Sequence, residues 1–285
     1  MQNRTRAPRS RRLWTLAALA AAFAFTSTAC SKLQARDMLN KGVQDYKANQ
    51  FDKAVEKFKE AKRLDPELKT ARLYLATAYA NQYVPGSPEQ ANVDHANQAV
   101  QEFKEVLDKD PQNLSAIDGI GSLLFNMAAG PPTNIAMMKE SRGYHQQHTK
   151  IKPDDPLPYY WVGLIDWTLA FKANAQMRFD YNKEQISAKK QIKDGDPLPD
   201  KLRDQFAAEY GADVDEGIAA LNQAIKINPE YDEAMAYLNL LDRQKADMVA
   251  SPDDRKKLND EADALIEKVK VIKQQKASQP AQPSS

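Results

Sequence analysis

Residues 35–66, ARDMLNKGVQDYKANQFDKAVEKFKEAKRLDP, contain the pattern that decides the fold. Small side chains recur at Gly42, Ala54 and Ala61, and the large Phe58 lies between the last two. Close packing of two helices requires small side chains opposite large ones. The proline that closes the segment ends the second helix, because proline cannot continue a helix and disfavours helical geometry in the preceding residue. The stretch therefore predicts two antiparallel helices in close contact.

The sequence pattern that ends this segment occurs four times along the chain. An amphipathic stretch runs into a proline at residues 63–66, 108–111, 150–153 and 226–229. Repetition of one structural unit is the signature of a stacked repeat protein, in which each unit buries its apolar face against its neighbours. The four occurrences of this pattern therefore predict a series of helical hairpins.

The small and large positions of the first segment, with the recurring proline, resemble the tetratricopeptide repeat (TPR) family. The resemblance covers about residues 35–272 and implies an all-α fold, a right-handed α-solenoid of helix-turn-helix repeats with helical insertions. Residues 171–214 exceed the repeat length and predict a solvated helical excursion packed on the solenoid. Residues 273–285 are polar and contain proline without periodicity, so they predict a disordered tail.

The third unit departs from the pattern in its second helix. The expected small and aromatic places hold Ser141, His145 and His148. Two histidines one helical turn apart could share a metal ion, but no nearby cysteine or convincing acidic pair completes a ligand set. We therefore expect both histidines on the helix surface, and we predict no metal site.

The start of the chain has the order of an export signal. Five arginines, an apolar stretch over residues 13–25 and a run of small residues precede Cys30. The apolar stretch has about 13 residues, whereas a membrane-spanning helix needs roughly 20. This length favours a cleaved signal over a permanent anchor.

Thr28-Ala29-Cys30 resembles the lipobox of bacterial lipoproteins, although Ser27 stands where that family usually has leucine. The resemblance implies a signal peptide over residues 1–29, lipidation of Cys30 and a short lipidated linker over 30–34. Cys30 is the only cysteine, so it cannot form an intramolecular disulfide, and lipidation would give it a purpose. The alternative is a small residue near a non-lipid cleavage site. Ser31 resembles the residue that follows the cysteine in signals sorted to the outer membrane.

Charge and motifs limit the functional classes. Cleavage before Cys30 would remove five arginines and no acidic residue, which takes the net charge from +1 to −4. A mildly acidic chain argues against a nucleic-acid partner, for which a basic face is expected. The sequence has no glycine-rich phosphate loop, nucleophile elbow or paired-histidine zinc motif. We therefore predict no enzymatic activity and no cofactor.

The TPR resemblance also implies where a partner would bind. In the family, certain positions of each first helix face a concave groove that receives a peptide or a partner helix. Tyr160 and Trp167 could alternatively be core residues covered by the excursion. The predicted groove residues are Leu39, Val43, Tyr46, Lys47, Leu73, Thr77, Asn81, Phe125, Asn126, Tyr160, Leu164, Trp167 and Arg243.

Two hypotheses about function follow. The first is a lipid-anchored scaffold that faces the periplasm, on the outer membrane, and binds protein partners in an envelope assembly or secretion complex. The second is a protein that binds a small molecule or an envelope polymer in an aromatic pocket closed by the inserted helices. The residues of that pocket would be Tyr159, Tyr160, Trp161 and Trp167.

Overall fold

The described part of the chain is helical throughout. A computed structural model describes residues 30–185, 190–193 and 195–278 of the 285 residues, and these ranges contain ten α-helices and no β-strand. The predicted signal peptide, 1–29, lies outside the described residues. The helices are α1 (residues 30–47), α2 (Phe51–Leu64), α3 (Lys69–Gln82), α4 (Gln90–Lys109), α5 (Leu114–Ala128), α6 (Ile135–Ile151), α7 (Pro156–Glu184), α8 (Asp200–Ile227), α9 (Asp232–Ala246) and α10 (Pro252–Ser278).

The described residues form two compact units, unit 1 up to Gly119 and unit 2 from Ile120 onward, and the boundary falls within α5. All four recurring prolines lie in the connections between helices, which confirms the predicted helix ends. In each of these connections, the backbone N–H of the residue after the helix donates a hydrogen bond to the carbonyl oxygen four residues earlier. The residues that donate are Asp65, Asp110, Lys152 and Asn228. Each helix therefore ends two residues before its proline.

Unit 1 contains the hairpin that the first stretch predicted. Ala54, Phe58 and Ala61 of α2 are fully buried. A Cβ atom added to Gly42 of α1 would lie 2.5 Å from Cε1 of Phe58, so only glycine allows the ring this approach. The other face of the Phe58 ring stacks on Tyr74 of α3, with ring centroids 5.5 Å apart. Phe58 is thus held between a glycine and a second aromatic ring.

Unit 2 repeats this arrangement with different residues. A Cβ atom on Gly121 would lie 2.7 Å from Nε2 of His145, and the His145 ring stacks on Trp161 at 5.1 Å with an interplanar angle of 4°. His145 and His148 are buried, so the expectation of surface histidines is wrong. The tertiary reason is that His145 takes the place of an aromatic core residue between α5 and α7.

The residues predicted as an inserted excursion belong to two long helices. Residues 171–184 continue α7, and residues 200–214 are the first half of α8. Phe206 and Val214 are fully buried and belong to one core cluster with Leu221 and Leu241. The α8 part of this range is therefore not a solvated addition, because Phe206 and Val214 belong to the core of unit 2, whereas Phe171 and Phe179 on the α7 part are 48% and 62% exposed.

Both predicted chain ends differ from the structure. Residues 30–34, predicted as a linker, are the first turn of α1, and Ala35 in the next turn is fully buried. Helix α10 continues to Ser278, into the range predicted to be disordered. The ammonium group of Lys276 binds the carboxylate of Asp232 and the carbonyl oxygen of Glu230, which ties the last turns of α10 to α9. Residues 279–285 lie outside the described residues.

Within the described ranges, no helix combines the length and apolar character that crossing a lipid bilayer would need.

Candidate functional site

The predicted groove residues of unit 1 lie on neighbouring turns of α1 and α3. Nδ2 of Asn81 donates a hydrogen bond to Oη of Tyr46 over 2.8 Å, and the Tyr46 ring contacts Tyr74 edge-on at 6.5 Å. The hydroxyl of Thr77 donates to the carbonyl oxygen of Leu73 in its own helix. Lys47 and Asn81 are exposed, and the rest of the set is half-buried: Leu39, Val43, Tyr46, Leu73 and Thr77. That this face binds a partner stays a prediction.

Unit 2 brings its aromatic candidates into one continuous row, which we call the aromatic row. It joins first helices of three hairpins, α5, α7 and α9, through ring contacts with centroid distances of 5.1–6.1 Å. Along the row, each ring touches the next in the order Phe125, Trp161, Tyr160, Tyr237, Trp167 and Phe171. Phe171 at its end is 48% exposed, so the row reaches solvent.

The remaining predicted groove residues of unit 2 have mixed positions. Leu164 is buried with 7% exposure, so its assignment to the groove is wrong. It lies between the buried Gly163 and Ile165, where α7 is enclosed by neighbouring helices on several sides. Tyr160 and Trp167 are half-buried and pack on the core cluster of unit 2, as the core alternative expected in part. Asn126 is exposed and Arg243 half-buried.

Three aromatic residues outside the predicted groove set, of which only Trp161 was predicted for the alternative aromatic pocket, occupy one equivalent position. Tyr74, Trp161 and Tyr237 are each the sixth residue of a first helix, α3, α7 or α9. Tyr74 and Trp161 stack on Phe58 and His145, which stand sixteen residues earlier in the chain. The signal that would have found them is therefore in the sequence: a large residue eight positions before the repeat proline, followed by an aromatic residue eight positions after it.

A cleft of about 640 Å³ opens beside Phe171, and we call it the arginine cleft. The carboxylate of Asp247, at the end of α9, is its central acceptor. Nη2 of Arg178 donates to Oδ2 of Asp247 over 2.8 Å, and Nη2 of Arg255 lies 3.2 Å from Oδ1. The lining residues are Phe171, Asn174, Ala175, Arg178, Gly195, Arg243, Gln244, Asp247, Arg255 and Asn259.

A second cleft, of about 610 Å³, also has Phe171 in its wall. Its lining is mainly apolar and includes Ile135 and Met177, and Ile135 is 47% exposed. Lys172, also in the wall, donates through Nζ to the carbonyl oxygen of Ala129 over 2.8 Å. Phe171 thus borders one apolar and one cationic cleft.

The buried ionic cluster of unit 2 contains the residues that could hold a metal ion. Carboxylate oxygens of Asp166, Asp213 and Glu216 lie within 4.8 Å of one another. Nη1 of Arg142 binds Asp166, lies 2.7 Å from Asp213 and 3.3 Å from Glu216, and so takes the central place of a cation. Burial raises the pKa of Asp166 to about 8, against the opposing effect of Arg142. Arg142 of α6 therefore joins α7 through its contact with Asp166 and α8 through its ion pair with Asp213.

Comparison with known proteins gives the fold. No family model matches the sequence, and no curated protein matches it. Two solved structures of MamA, one of them residues 41 to the end from Desulfovibrio magneticus RS-1, share 16% identity with this chain at TM-scores of 0.55 and 0.54. They cover 86% and 88% of this chain and 98% of their own. YrrB, described as a TPR protein with an unusual peptide-binding site, has 12% identity and a TM-score of 0.49, covering 84% of this chain and 90% of its own.

MamA is a TPR-repeat solenoid. The two MamA matches, with the all-helical hairpins described above, confirm the predicted fold class, an α-solenoid of TPR helix-turn-helix repeats.

Proposed function

We propose that this chain is a scaffold that binds protein partners through the aromatic row of unit 2 and is held by lipid on an envelope membrane, facing the periplasm. The observation that carries the proposal is the row itself. Six rings from three first helices form one surface that ends in the exposed Phe171. Aromatic and arginine side chains supply most of the binding energy in protein interfaces. A row of rings beside an arginine cleft has this composition.

The packing of the rings favours a protein partner over a small planar ligand. Trp161 contacts Tyr160 at 6.1 Å, and Trp167 contacts Tyr237 and Phe171 at 5.2 and 5.1 Å. These distances are those of rings in direct contact, so no planar ligand fits between them. The rings fill the space that the hypothesis of an aromatic pocket requires. The outer edges of the rings are available for contact with the surface of a partner.

Affinity purification from solubilised membranes tests the scaffold proposal. We compare the full chain with the Phe171→Ala variant, and we use Phe179→Ala as the matched control. Phe179 lies on the same helix and is 62% exposed, but it makes no ring contact with the aromatic row among the described residues. We expect stoichiometric protein partners with the wild-type chain and with Phe179→Ala, and at least tenfold lower recovery with Phe171→Ala.

Equal recovery with both variants would place the binding surface elsewhere. A retained glycan or metabolite without a stoichiometric protein would contradict the scaffold proposal.

The membrane anchor rests on the sequence around Cys30. Its thiol is free and the residue is exposed at the start of α1, so modification would disturb no packing. Two or three acyl chains would hold the protein on a membrane, because each buried methylene contributes about 0.8 kcal/mol. Mass spectrometry of the protein purified from membranes should show an N-terminal Cys30 with acyl chains. An intact Met1 terminus, or membrane attachment of a Cys30→Ser variant, would contradict this assignment.

A further inference from the structure

The arginine cleft is built by elements from well-separated parts of unit 2. Phe171, Asn174 and Arg178 come from α7, Arg243 and Gln244 from α9, and Arg255 and Asn259 from α10. Of the three arginines, only Arg243 stands at a position that the TPR resemblance assigns to a groove. The cleft is therefore a feature of this chain's long helices and not of the repeat.

The side-chain acceptor groups of the cleft, apart from Oδ1 of Asn259, are already engaged. Oδ2 of Asp247 accepts from Arg178 and from Nδ2 of Asn174, and Oδ1 pairs with Arg255. Oδ1 of Asn174 accepts from Nε of Arg178 over 2.8 Å, and Oε1 of Gln244 accepts from Nδ2 of Asn174 over 2.9 Å. A ligand that enters the cleft thus meets carboxylate and amide oxygens that are occupied.

Several donor groups of the same cleft remain unengaged. Arg255 uses only Nη2, toward Gly195 and Asp247, so its Nε and Nη1 make no hydrogen bond to a described residue. The same holds for Nη1 of Arg243, which donates only through Nε and Nη2. The amide nitrogens of Gln244 and Asn259 also have no acceptor in the described ranges. The open positions of the cleft are therefore nearly all donors.

The charge of the lining agrees with this donor excess. Three arginines face one aspartate in the wall, and only Arg243 has a further acidic partner, Asp263, outside it. Arg255 and Asp247 have side-chain exposures of 18% and 12%, so this charge lies in a partly desolvated site, where charge-assisted hydrogen bonds are stronger than in water.

We propose that the arginine cleft binds a carboxylate of a protein partner, next to an apolar side chain that packs on Phe171. Arginine presents its N–H groups in a planar fork that matches the two oxygens of a carboxylate. Arg255, with three unengaged N–H groups, is the primary contact, and Asn259 and Arg243 complete the donor set. The Phe171 ring, stacked on Trp167 behind it, supplies the apolar contact. The inference rests on the proposed scaffold function and specifies the chemistry of its partner.

A random peptide library displayed on phage, with free carboxyl ends, tests the proposal against the immobilised full chain. We expect selection of Asp or Glu, or of a free chain end, beside an aromatic or large aliphatic residue. Binding of a dye-labelled selected peptide is then measured by fluorescence anisotropy. Replacing each acidic side chain by its amide, or amidating the chain end, identifies which carboxylate enters the cleft. The affinity should fall at least tenfold for one of these changes.

Variants of the protein locate the site. Arg255→Gln should weaken binding at least tenfold, and Asn259→Asp should do the same, because it places a carboxylate where the ligand carboxylate is expected. Asn259→Asp removes no hydrogen bond to a described residue, so it tests the site even if Arg255→Gln fails to fold. Arg203→Gln is the matched control, since Arg203 pairs with Asp200 and Asp204 on α8 outside the cleft, and it should change affinity less than twofold.

Unchanged binding in Asn259→Asp, selected peptides without a required carboxylate, or a selection that yields no peptide would each overturn the proposal. The scaffold function has a separate outcome, because partner recovery with Phe171→Ala and Phe179→Ala does not depend on a carboxylate. Peptides that need Phe171 but not Asn259 or Arg255 would remove the carboxylate site and leave the scaffold standing.

Discussion

The first hairpin of unit 1, α1–α2, and the contact between α5 and α6 in unit 2 build the same local structure from different chemistry. In unit 1 the Phe58 ring lies between Gly42 and Tyr74. In unit 2 the His145 ring lies between Gly121 and Trp161. In both, the flat ring comes eight residues before the repeat proline. The comparison shows that a large side chain packs against a glycine in both hairpins, and that this side chain need not be apolar.

The polar version needs partners that the apolar version does not. Ser141 stands where unit 1 has Ala54, and its hydroxyl donates to the carbonyl oxygen of Gly121 over 2.7 Å. Beside it, Arg142 on α6 binds carboxylates of α7 and α8. Buried polar groups are costly unless they are hydrogen-bonded or paired. Unit 2 therefore depends on polar contacts in a region where unit 1 depends on packing.

Removal of the buried cation should have the largest effect. Arg142→Met would remove the guanidinium that binds both Asp166 and Asp213, and we expect unit 2 to lose about 3–5 kcal/mol of stability. Hydrogen exchange read by mass spectrometry should show faster exchange in α6, α7 and α8. Lys62→Met in unit 1 is the control, because Lys62 pairs with Glu102 at a partly exposed site and should contribute less than about 1 kcal/mol. Equal losses of stability in Arg142→Met and Lys62→Met would show that unit 2 does not depend on its ion pairs more than unit 1 does.

A packing change should act most strongly in unit 1. Ala54→Trp inserts an indole at a fully buried position where α1 and α2 touch, and we expect a loss of about 3 kcal/mol. Thermal unfolding followed by circular dichroism measures it. Lys53→Trp, at the exposed neighbouring position, should change the stability by less than about 0.5 kcal/mol. An Ala54→Trp protein as stable as the wild type would refute the helix register that defines the hairpin.

Low pH should reduce the stability contribution of the His145 ring, whereas the Phe58 ring has no group that titrates. Burial, with a smaller effect of His148, lowers the pKa of His145 from 6.5 to about 3. The unfolded chain therefore binds a proton that the folded chain does not, and the contribution of His145 to stability is complete above pH 6.5 and decreases as the pH falls towards 3. We expect a loss of about 2 kcal/mol at pH 5.

Asp166, whose pKa is raised, acts in the opposite sense: its contribution increases as the pH falls below about 8. The measurement is therefore the difference in unfolding free energy between the wild type and His145→Phe at pH 7.5 and pH 5, in which the contribution of Asp166 cancels. A difference that does not change with pH would mean that His145 is hydrated in the folded chain.

The smallest expected effect belongs to the serine of the polar hairpin. Ser141→Ala removes the hydroxyl that donates to Gly121, and we expect a loss of about 1 kcal/mol. Urea unfolding measures this change, with Ser115→Ala at an exposed position of α5 as the control. A gain in stability in Ser141→Ala would indicate that the hairpin prefers the alanine found in unit 1.

The sequence by itself determined the four helix ends that precede a repeat proline and the local partners of the first hairpin. Gly42, Ala54 and Phe58 could be assigned because the repeat places them at constant spacing, and constant spacing on a helix defines a face. The proline that ends each second helix was equally readable, since its effect on the backbone is local. The groove residues Phe125, Tyr160 and Trp167 were placed on first helices by the same register, and the structure joins them in one row.

Only the tertiary structure decided the rest. The sequence predicted exposed histidines because histidine is polar, whereas the neighbouring Gly121 and Trp161 bury His145. The first half of α8 belongs to the core and not to an excursion, because Phe206 and Val214 share one buried cluster with residues of α9. The arginine cleft is formed by residues of α7, α9 and α10. Its unengaged donors can be identified only from the structure, which shows that Asp247 is already paired with Arg178 and Arg255. Helical periodicity reports which residues share a face, but burial and pairing depend on which other helix covers that face.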